Sequence, residues 1–189
     1  MIQKRIIGLI GEKGSGKGTV SKYLEEKYAA KHYGTSKILK RTIDDLHLAH
    51  TRENYIKLAL VLKEGYWPSV VIDALIADIE NNGNGIIIAD GIRMHGDVRP
   101  FREKYGDNFQ LIYVTADPRI RYERTKQRKE KDGEDKVTFE NFLAQEAQLT
   151  EISIHEIGTS QADFVIHNDK TYDDLVTQIE GVMKQIMDR

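Results

Sequence analysis

Apolar residues in this chain fall in short unbroken runs separated by long amphipathic stretches. RIIGLI (5–10) is β-branched and apolar without alternation, the pattern of a strand covered on both faces. IIIAD (86–90), FQLIYVTAD (109–117) and ADFVIHN (162–168) predict three more strands, and a faint one lies near 32–34. Between them the period is helical. Val20, Tyr23, Leu24 and Tyr28 mark a helix over 17–31, and Ile38, Leu39, Ile43 and Leu46 mark another over 35–48. Thr51 offers an N-cap to a helix that runs through Lys63 and stops at Gly65. Further helices are predicted over 69–81, 97–105, 138–157 and 171–187, and one from Pro118 to about Lys129, with proline suited to its first turn. NNGNG (81–85) and KEKDGEDK (129–136) interrupt the pattern as loops.

Strands that are apolar on both faces and alternate with helices predict a mostly parallel sheet of about five strands between two helical layers. Such α/β/α sheets bind ligands at the carboxyl ends of their strands. Without repeats, low-complexity tracts or a proline-rich linker, residues 1–189 read as a single domain. Segment 35–82 reads as a helical part and 119–137 as a small basic segment.

Composition narrows the classes. Of 189 residues, 40% are hydrophobic and 31% charged, which suits a packed core. Lys plus Arg is 28 and Asp plus Glu is 30, for a net charge of −2, so no bulk charge draws the chain to nucleic acid or to an anionic membrane. The absence of cysteine excludes disulfides, iron–sulfur clusters and thiolate zinc sites. No apolar stretch approaches the roughly 20 residues of a membrane span. The basic start and short apolar run at the N-terminus lead into glycines rather than a cleavage site, so a cytoplasmic location is expected. The six histidines show no metal-ligand spacing.

GEKGSGKGT (11–19) carries the strongest chemistry. Gly11 to Lys17 fits G-x-x-x-x-G-K, the P-loop or Walker A pattern, between a predicted strand and a predicted helix. Glycines let successive backbone N–H groups face one concavity, and the helix start adds positive potential. Gly11, Lys13, Gly14, Ser15, Gly16, Lys17, Gly18 and Thr19 are the candidate set for a triphosphate, with Lys17 as the point charge. The residue after Lys17 is Gly18 rather than Ser or Thr, a form that resembles the adenylate kinase loop, and the resemblance implies Mg²⁺ held loosely, through water, with Thr19 and Asp90 as its candidates. Asp90 ends a buried strand, the usual placement for an acid that orients this metal, and Gly91 and Arg93 follow it. Arg93 suits a phosphoryl group through paired hydrogen bonds.

Arg121, Arg124 and Arg128 share one helical face within a segment that also holds Arg119, Lys126, Lys129 and Lys131. A closing basic helix would stabilise a transferring phosphoryl group and exclude water. Interleaved acids argue against a nucleic-acid groove. On the acceptor side, Thr35 and Ser36 would bind phosphate or cap a helix, with capping favoured. Lys40, Arg41 and Arg52 are candidate phosphate partners. Trp67 is expected to pack, or else to stack on an acceptor base.

The form GxxGxGKGT resembles the adenylate kinase branch of the nucleoside monophosphate kinases. Asp90-Gly91-Ile92-Arg93 resembles their D-G-F-P-R element with one residue fewer and no proline. With VRPFREKYG, VTADPRIRYERTKQR, TFENFLAQE and ADFVIHND, most of the chain is similar to the dephospho-coenzyme A kinase-like group of small P-loop nucleotide kinases. The resemblance implies a P-loop NTPase fold and transfer of the γ-phosphoryl of ATP, with Mg²⁺, to a nucleoside monophosphate (NMP or dNMP). It also implies acceptor binding for segment 35–82 and a lid for 119–137. It implies Lys17, Asp90, Arg93, Arg124 and Arg128 as catalytic residues, and Ser36, Lys40, Arg41 and Arg93 as the acceptor's partners. The GD of the adenylate kinase acceptor stretch is absent, and so is an aspartate where dephospho-coenzyme A kinases place their base. An acceptor phosphate, already ionised, needs no base, which favours the nucleotide acceptor. The alternatives are transfer to a ribose hydroxyl, as in dephospho-coenzyme A kinases, and a nucleotide-binding regulatory NTPase without a small acceptor.

Overall fold

The computed structural model describes residues 4–128 and 137–188. Its sheet has five strands, β1 (Arg5–Ile10), β2 (Lys31–Gly34), β3 (Ile86–Asp90), β4 (Phe109–Thr115) and β5 (Phe164–His167), in the order β2-β3-β1-β4-β5. Burial along each strand explains that order. β1, β3 and β4 bury nearly every side chain, as inner strands covered on both faces must. β2 begins with exposed Lys31 and His32, and β5 is only partly buried, so the polar strands take the edges. β2 pairs with β3 in parallel and β5 with β4 in parallel. The fold is the expected α/β/α arrangement of helices around a mostly parallel five-stranded sheet.

The helices are α1 (Lys17–Tyr28), α2 (Thr35–Asp45), α3 (Arg52–Gly65), α4 (Val70–Asn82), α5 (Arg99–Tyr105), α6 (Pro118–Arg128), α7 (Phe139–Glu146), α8 (Leu149–Gln161) and α9 (Tyr172–Met187). Thr51 caps α3 as its sequence predicts, accepting a hydrogen bond from the Asn54 amide. Thr171 caps α9 in a capping box with Asp174. α1 is shorter than the pattern predicts because Ala29 turns left-handed (φ 51°). The single helix expected over 138–157 is two helices, broken at Ala147 and Gln148, where the backbone leaves helical geometry. Neither proline nor glycine marks that break. Tertiary packing accounts for it: α7 must present Glu146 to Arg121, while α8 must lay Gly158 against the Tyr113 ring, where a Cβ would stand 2.5 Å from ring carbons.

The chain divides into two compact units. The first holds residues up to Gly8 and Leu24–Phe109, the second Leu9–Tyr23 and the chain from Gln110 onward. In the first, Phe101 stacks on Phe109 with centroids 5.1 Å apart, and both are fully buried, as are Ile43, Ile72, Leu75 and Ile79. Burying one such side chain stabilises by about 1.5–3 kcal/mol. In the second, Tyr122, Phe139 and Phe142 form an aromatic cluster between α6 and α7, with centroids 5.4 to 6.5 Å apart. The loop expected over 129–136, with Lys129 and Lys131, lies outside the described residues, as does the side chain of Arg128.

Candidate functional site

In the second unit the chain leaves β1 through residues 11–16 and enters α1 at Lys17. Gly14 (φ +79°) and Gly16 (φ +96°) take left-handed backbone that other residues rarely adopt. They are also crowded. A Cβ on Gly14 would stand 2.4 Å from the Arg121 carbonyl oxygen, and one on Gly16 would stand 2.1 Å from Asn168 Nδ2. The loop closes on itself through the Ser15 amide, which donates to the Glu12 carbonyl at 3.1 Å. Lys13 and Lys17 are half-buried, whereas Gly18 and Thr19 are exposed at the start of α1.

Three props hold this loop. Asn168, buried after β5, donates its side-chain amide to the Ser15 carbonyl at 2.9 Å, and its backbone amide bonds Thr115 at 2.8 Å. Arg121 is buried: its Nε donates to the Ala116 carbonyl at 2.9 Å, Nη1 reaches the Lys13 carbonyl at 3.5 Å, and the guanidinium forks onto Glu146. Glu12 is buried as well. Its Oε1 accepts a short hydrogen bond from the Tyr113 hydroxyl, and His155 Nδ1 lies 3.2 Å from the same oxygen. Burial, and then the bond to Glu12, pushes the Tyr113 hydroxyl above the ordinary phenol range.

Arg124 differs from Arg121 on the same helix. Its Nη2 reaches Asn168 Oδ1 at a long 3.4 Å, and its buried Nη1 has no hydrogen-bond partner among the described residues. Ser15 Oγ is likewise buried without a partner. Glu12 Oε2, in the same loop, also lacks one. A buried polar group left unsatisfied costs about 1–3 kcal/mol.

The first unit holds the other candidates. Asp90, half-buried at the end of β3, has its Oδ2 3.4 Å from His32 Nε2 on the neighbouring strand. Thr35 does not cap α2, and neither does Ser36: the N-cap is Gly34 and no side chain bonds the first amides. The Thr35 hydroxyl instead fills the space beside Gly91, 1.9 Å from where a Cβ would stand. Ser36 and Arg93 are exposed. Lys40 pairs with Asp44 at 2.8 Å and Arg41 with Asp78 at 2.7 Å. Trp67 does not pack into a core: it is half exposed, edge-on to Tyr66, and its Nε1 donates to Asp73 at 2.7 Å.

Several organising residues escape the motif reading. Glu12 occupies a freely variable position of the glycine pattern. Asn168 follows the last strand with no local signal of a role. Asp97 is buried, accepts the backbone amides of Arg93 and Met94 at 2.9 and 3.0 Å, and pairs with Lys63 at 2.7 Å. Only its short spacing from Arg93 hints that it shapes that turn. Among the described residues no three His, Cys, Asp or Glu side chains gather as a metal-ligand group, and no helix is long and apolar enough to cross a membrane.

Residues 7–148 match the AAA domain family. The chain belongs to that family. Relatives of this AAA domain chain include UPF0200 proteins of Saccharolobus islandicus, 25% identical over 97% of the chain and 94% of the relative, and of Methanocaldococcus jannaschii, 28% identical over 96% and 90%. Among solved structures it resembles a gluconokinase from Sinorhizobium meliloti (TM-score 0.61, 10% identity, 98% and 94% of the two chains). It also resembles a shikimate kinase from Bacteroides thetaiotaomicron (TM-score 0.60, 12% identity, 97% and 98%). These likenesses are of fold, and the fold is P-loop kinase-like.

Proposed function

We propose that this chain transfers the γ-phosphoryl group of ATP to a hydroxyl group of a small molecule. One observation carries the donor half. The loop at 11–16 is left-handed at two glycines, and among the described residues three buried polar atoms of the loop and of α6 beside it lack a hydrogen-bond partner: the donors Ser15 Oγ and Arg124 Nη1, and the carboxylate oxygen Glu12 Oε2. The two donors suit phosphate oxygens, while the carboxylate oxygen does not. Loop amides and Lys17 would hold the tail, with Lys13 and Gly18 beside it, and Arg124 and Arg128 would neutralise charge on the moving group. Magnesium, arriving with the nucleotide, would supply charge to the phosphates. Thr19 and Asp90 would reach it through water.

On the acceptor half this reading departs from the nucleoside monophosphate expected from sequence. Lys40 pairs with Asp44 and Arg41 with Asp78, which lends no support to a phosphate partner at either. A hydroxyl acceptor needs a base, and the sequence offered none by pattern. Asp90 beside His32 supports one: the carboxylate would take the hydroxyl proton as the oxygen–phosphorus bond forms and ADP departs, and His32 would steady the resulting acid. Arg93 would bind an anionic group elsewhere on the acceptor. The fold neighbours named for gluconate and shikimate, both hydroxy acids, favour the same class, and the ribose hydroxyl of dephospho-coenzyme A falls within it.

The test is a coupled ADP-release assay with ATP and Mg²⁺ across gluconate, shikimate, dephospho-coenzyme A and a panel of NMPs and dNMPs, with products read by phosphorus NMR. Turnover with a hydroxyl acceptor and none with the monophosphates is expected. Turnover on monophosphates alone would return the reading to a nucleotide acceptor. ATP binding with no acceptor-dependent turnover would make the chain a nucleotide-gated regulator.

A further inference from the structure

α3 is unusual within its unit because it contributes no buried residue. Its outward face carries Glu53, Ile56, Lys57, Leu60, Val61 and Glu64, all exposed, at helical spacing. Ile56, Leu60 and Val61 are 49%, 50% and 56% exposed, three large apolar side chains in one stripe. A chain that spends 40% of its residues on apolar side chains gains nothing from leaving these wet. Lys57 and Glu64 flank the stripe, and neither forms an ion pair with another of the described residues.

We propose that this face binds the same face of a second copy, with the two α3 helices antiparallel about a two-fold axis between Leu60 and Val61. The argument is charge complementarity. That axis sets Leu60 against the partner's Val61, Lys57 against the partner's Glu64, and Ile56 against the partner's Gly65. Each contact occurs twice, as an isologous interface requires. A Cβ built on Gly65 meets nothing within 4 Å, so the partner's Ile56 has room to approach the backbone there. Other registers are worse. An axis between residues 58 and 59 keeps apolar contacts but sets Glu53 against the partner's Glu64. Parallel pairing faces every charge with its own copy. The charges therefore select one geometry for the apolar stripe.

One helix pair buries less than the roughly 800 Å² per partner of a standard interface, so the dimer is weak and dependent on concentration. The test is sedimentation equilibrium of the full chain from low micromolar to several hundred micromolar, with circular dichroism as the folding control. Wild type is expected to dimerise within that range. Lys57→Glu or Glu64→Lys alone turns two attractions into two repulsions and is expected to weaken association about tenfold. The Lys57→Glu/Glu64→Lys double variant, with the pairs reversed, is expected to recover wild-type association. A wild type that stays monomeric throughout would overturn the proposal. So would a dimer indifferent to the single variants, or a folded double variant that fails to recover.

Discussion

Asn168 donates its side-chain amide to the Ser15 carbonyl at 2.9 Å, joining the end of the last strand to the glycine loop far away in sequence. The same amide nitrogen occupies the space a Cβ on Gly16 would need. Loop shape and Asn168 therefore require each other: Gly16 leaves the room, and the amide fixes the carbonyl that shapes the turn.

Asn168→Ala is accordingly expected to weaken ATP binding more than it weakens the fold. The Ser15 carbonyl loses a buried partner, at a cost of about 1–3 kcal/mol, and water entering the vacated space recovers part of it. Calorimetric titration with ATP should show affinity reduced about tenfold, with thermal unfolding lowered only slightly. Unchanged affinity would mean that the loop holds its shape unaided.

Arg124 and Arg121 differ in how they are held on the same helix. Arg124 Nη1 is buried without a partner among the described residues, so on the proposed reading Arg124→Ala removes a group that costs the protein without nucleotide and would serve it with nucleotide bound. Turnover on whichever acceptor is active should fall about a hundredfold or more, with stability unchanged or slightly higher. A variant that unfolds early while retaining its turnover would place Arg124 in the scaffold instead.

How much of this was legible depends on whether the determining contact is local. The strands β1, β3 and β4 announce themselves because inner strands must be apolar on both faces, and the Thr51 cap because capping is settled within three residues. The glycine loop is legible for the same reason. The break at Ala147 and Gln148 is not, since helix-favouring residues occupy it and the cause is Glu146 turning toward Arg121. Thr35 reads as a cap but is used for packing against Gly91, a contact between strand ends distant in sequence. Glu12, Asn168 and Asp97 were invisible because a buried polar residue is recognised by its partners, and Tyr113, Ser15 and Lys63 are each remote in the chain.

The Tyr113 hydroxyl gives a pH prediction. Burial first, and the bond to Glu12 second, raise it above the ordinary phenol value, so the fold holds the protonated form. Below about pH 10 folded and unfolded chains both keep that proton and its contribution is complete. As pH rises further the unfolded chain ionises first, so it binds fewer protons than the folded chain and stability falls. Denaturant unfolding between pH 8 and 11 should show this decline. Tyr113→Phe should lower stability at pH 8 by about 1–3 kcal/mol, since buried Glu12 loses its donor, and should flatten the decline. Tyr105, raised by burial and by Glu80, leaves a residual slope. An equally steep decline in Tyr113→Phe would assign the alkaline loss elsewhere.

The Arg121–Glu146 pair makes the opposite prediction to Arg124. Both side chains are largely buried, at 6% and 18% exposure, and the fork between them ties α6 to α7. Removing one partner strands the other charge, which costs more than the intact pair was worth. Glu146→Ala should destabilise by about 3 kcal/mol, because the guanidinium is left with the carbonyls of Ala116 and Lys13 and the Phe142 ring but no opposite charge among the described residues. Replacing both residues, Arg121→Met with Glu146→Leu, strands no charge and should recover much of that loss. It should not recover ATP affinity, because the methionine cannot hold the Lys13 carbonyl at the loop. Denaturant melts and ATP titrations on the single and double variants separate the two effects. If the double variant restores stability and affinity together, Arg121 shapes the loop only through packing and the Lys13 contact is incidental.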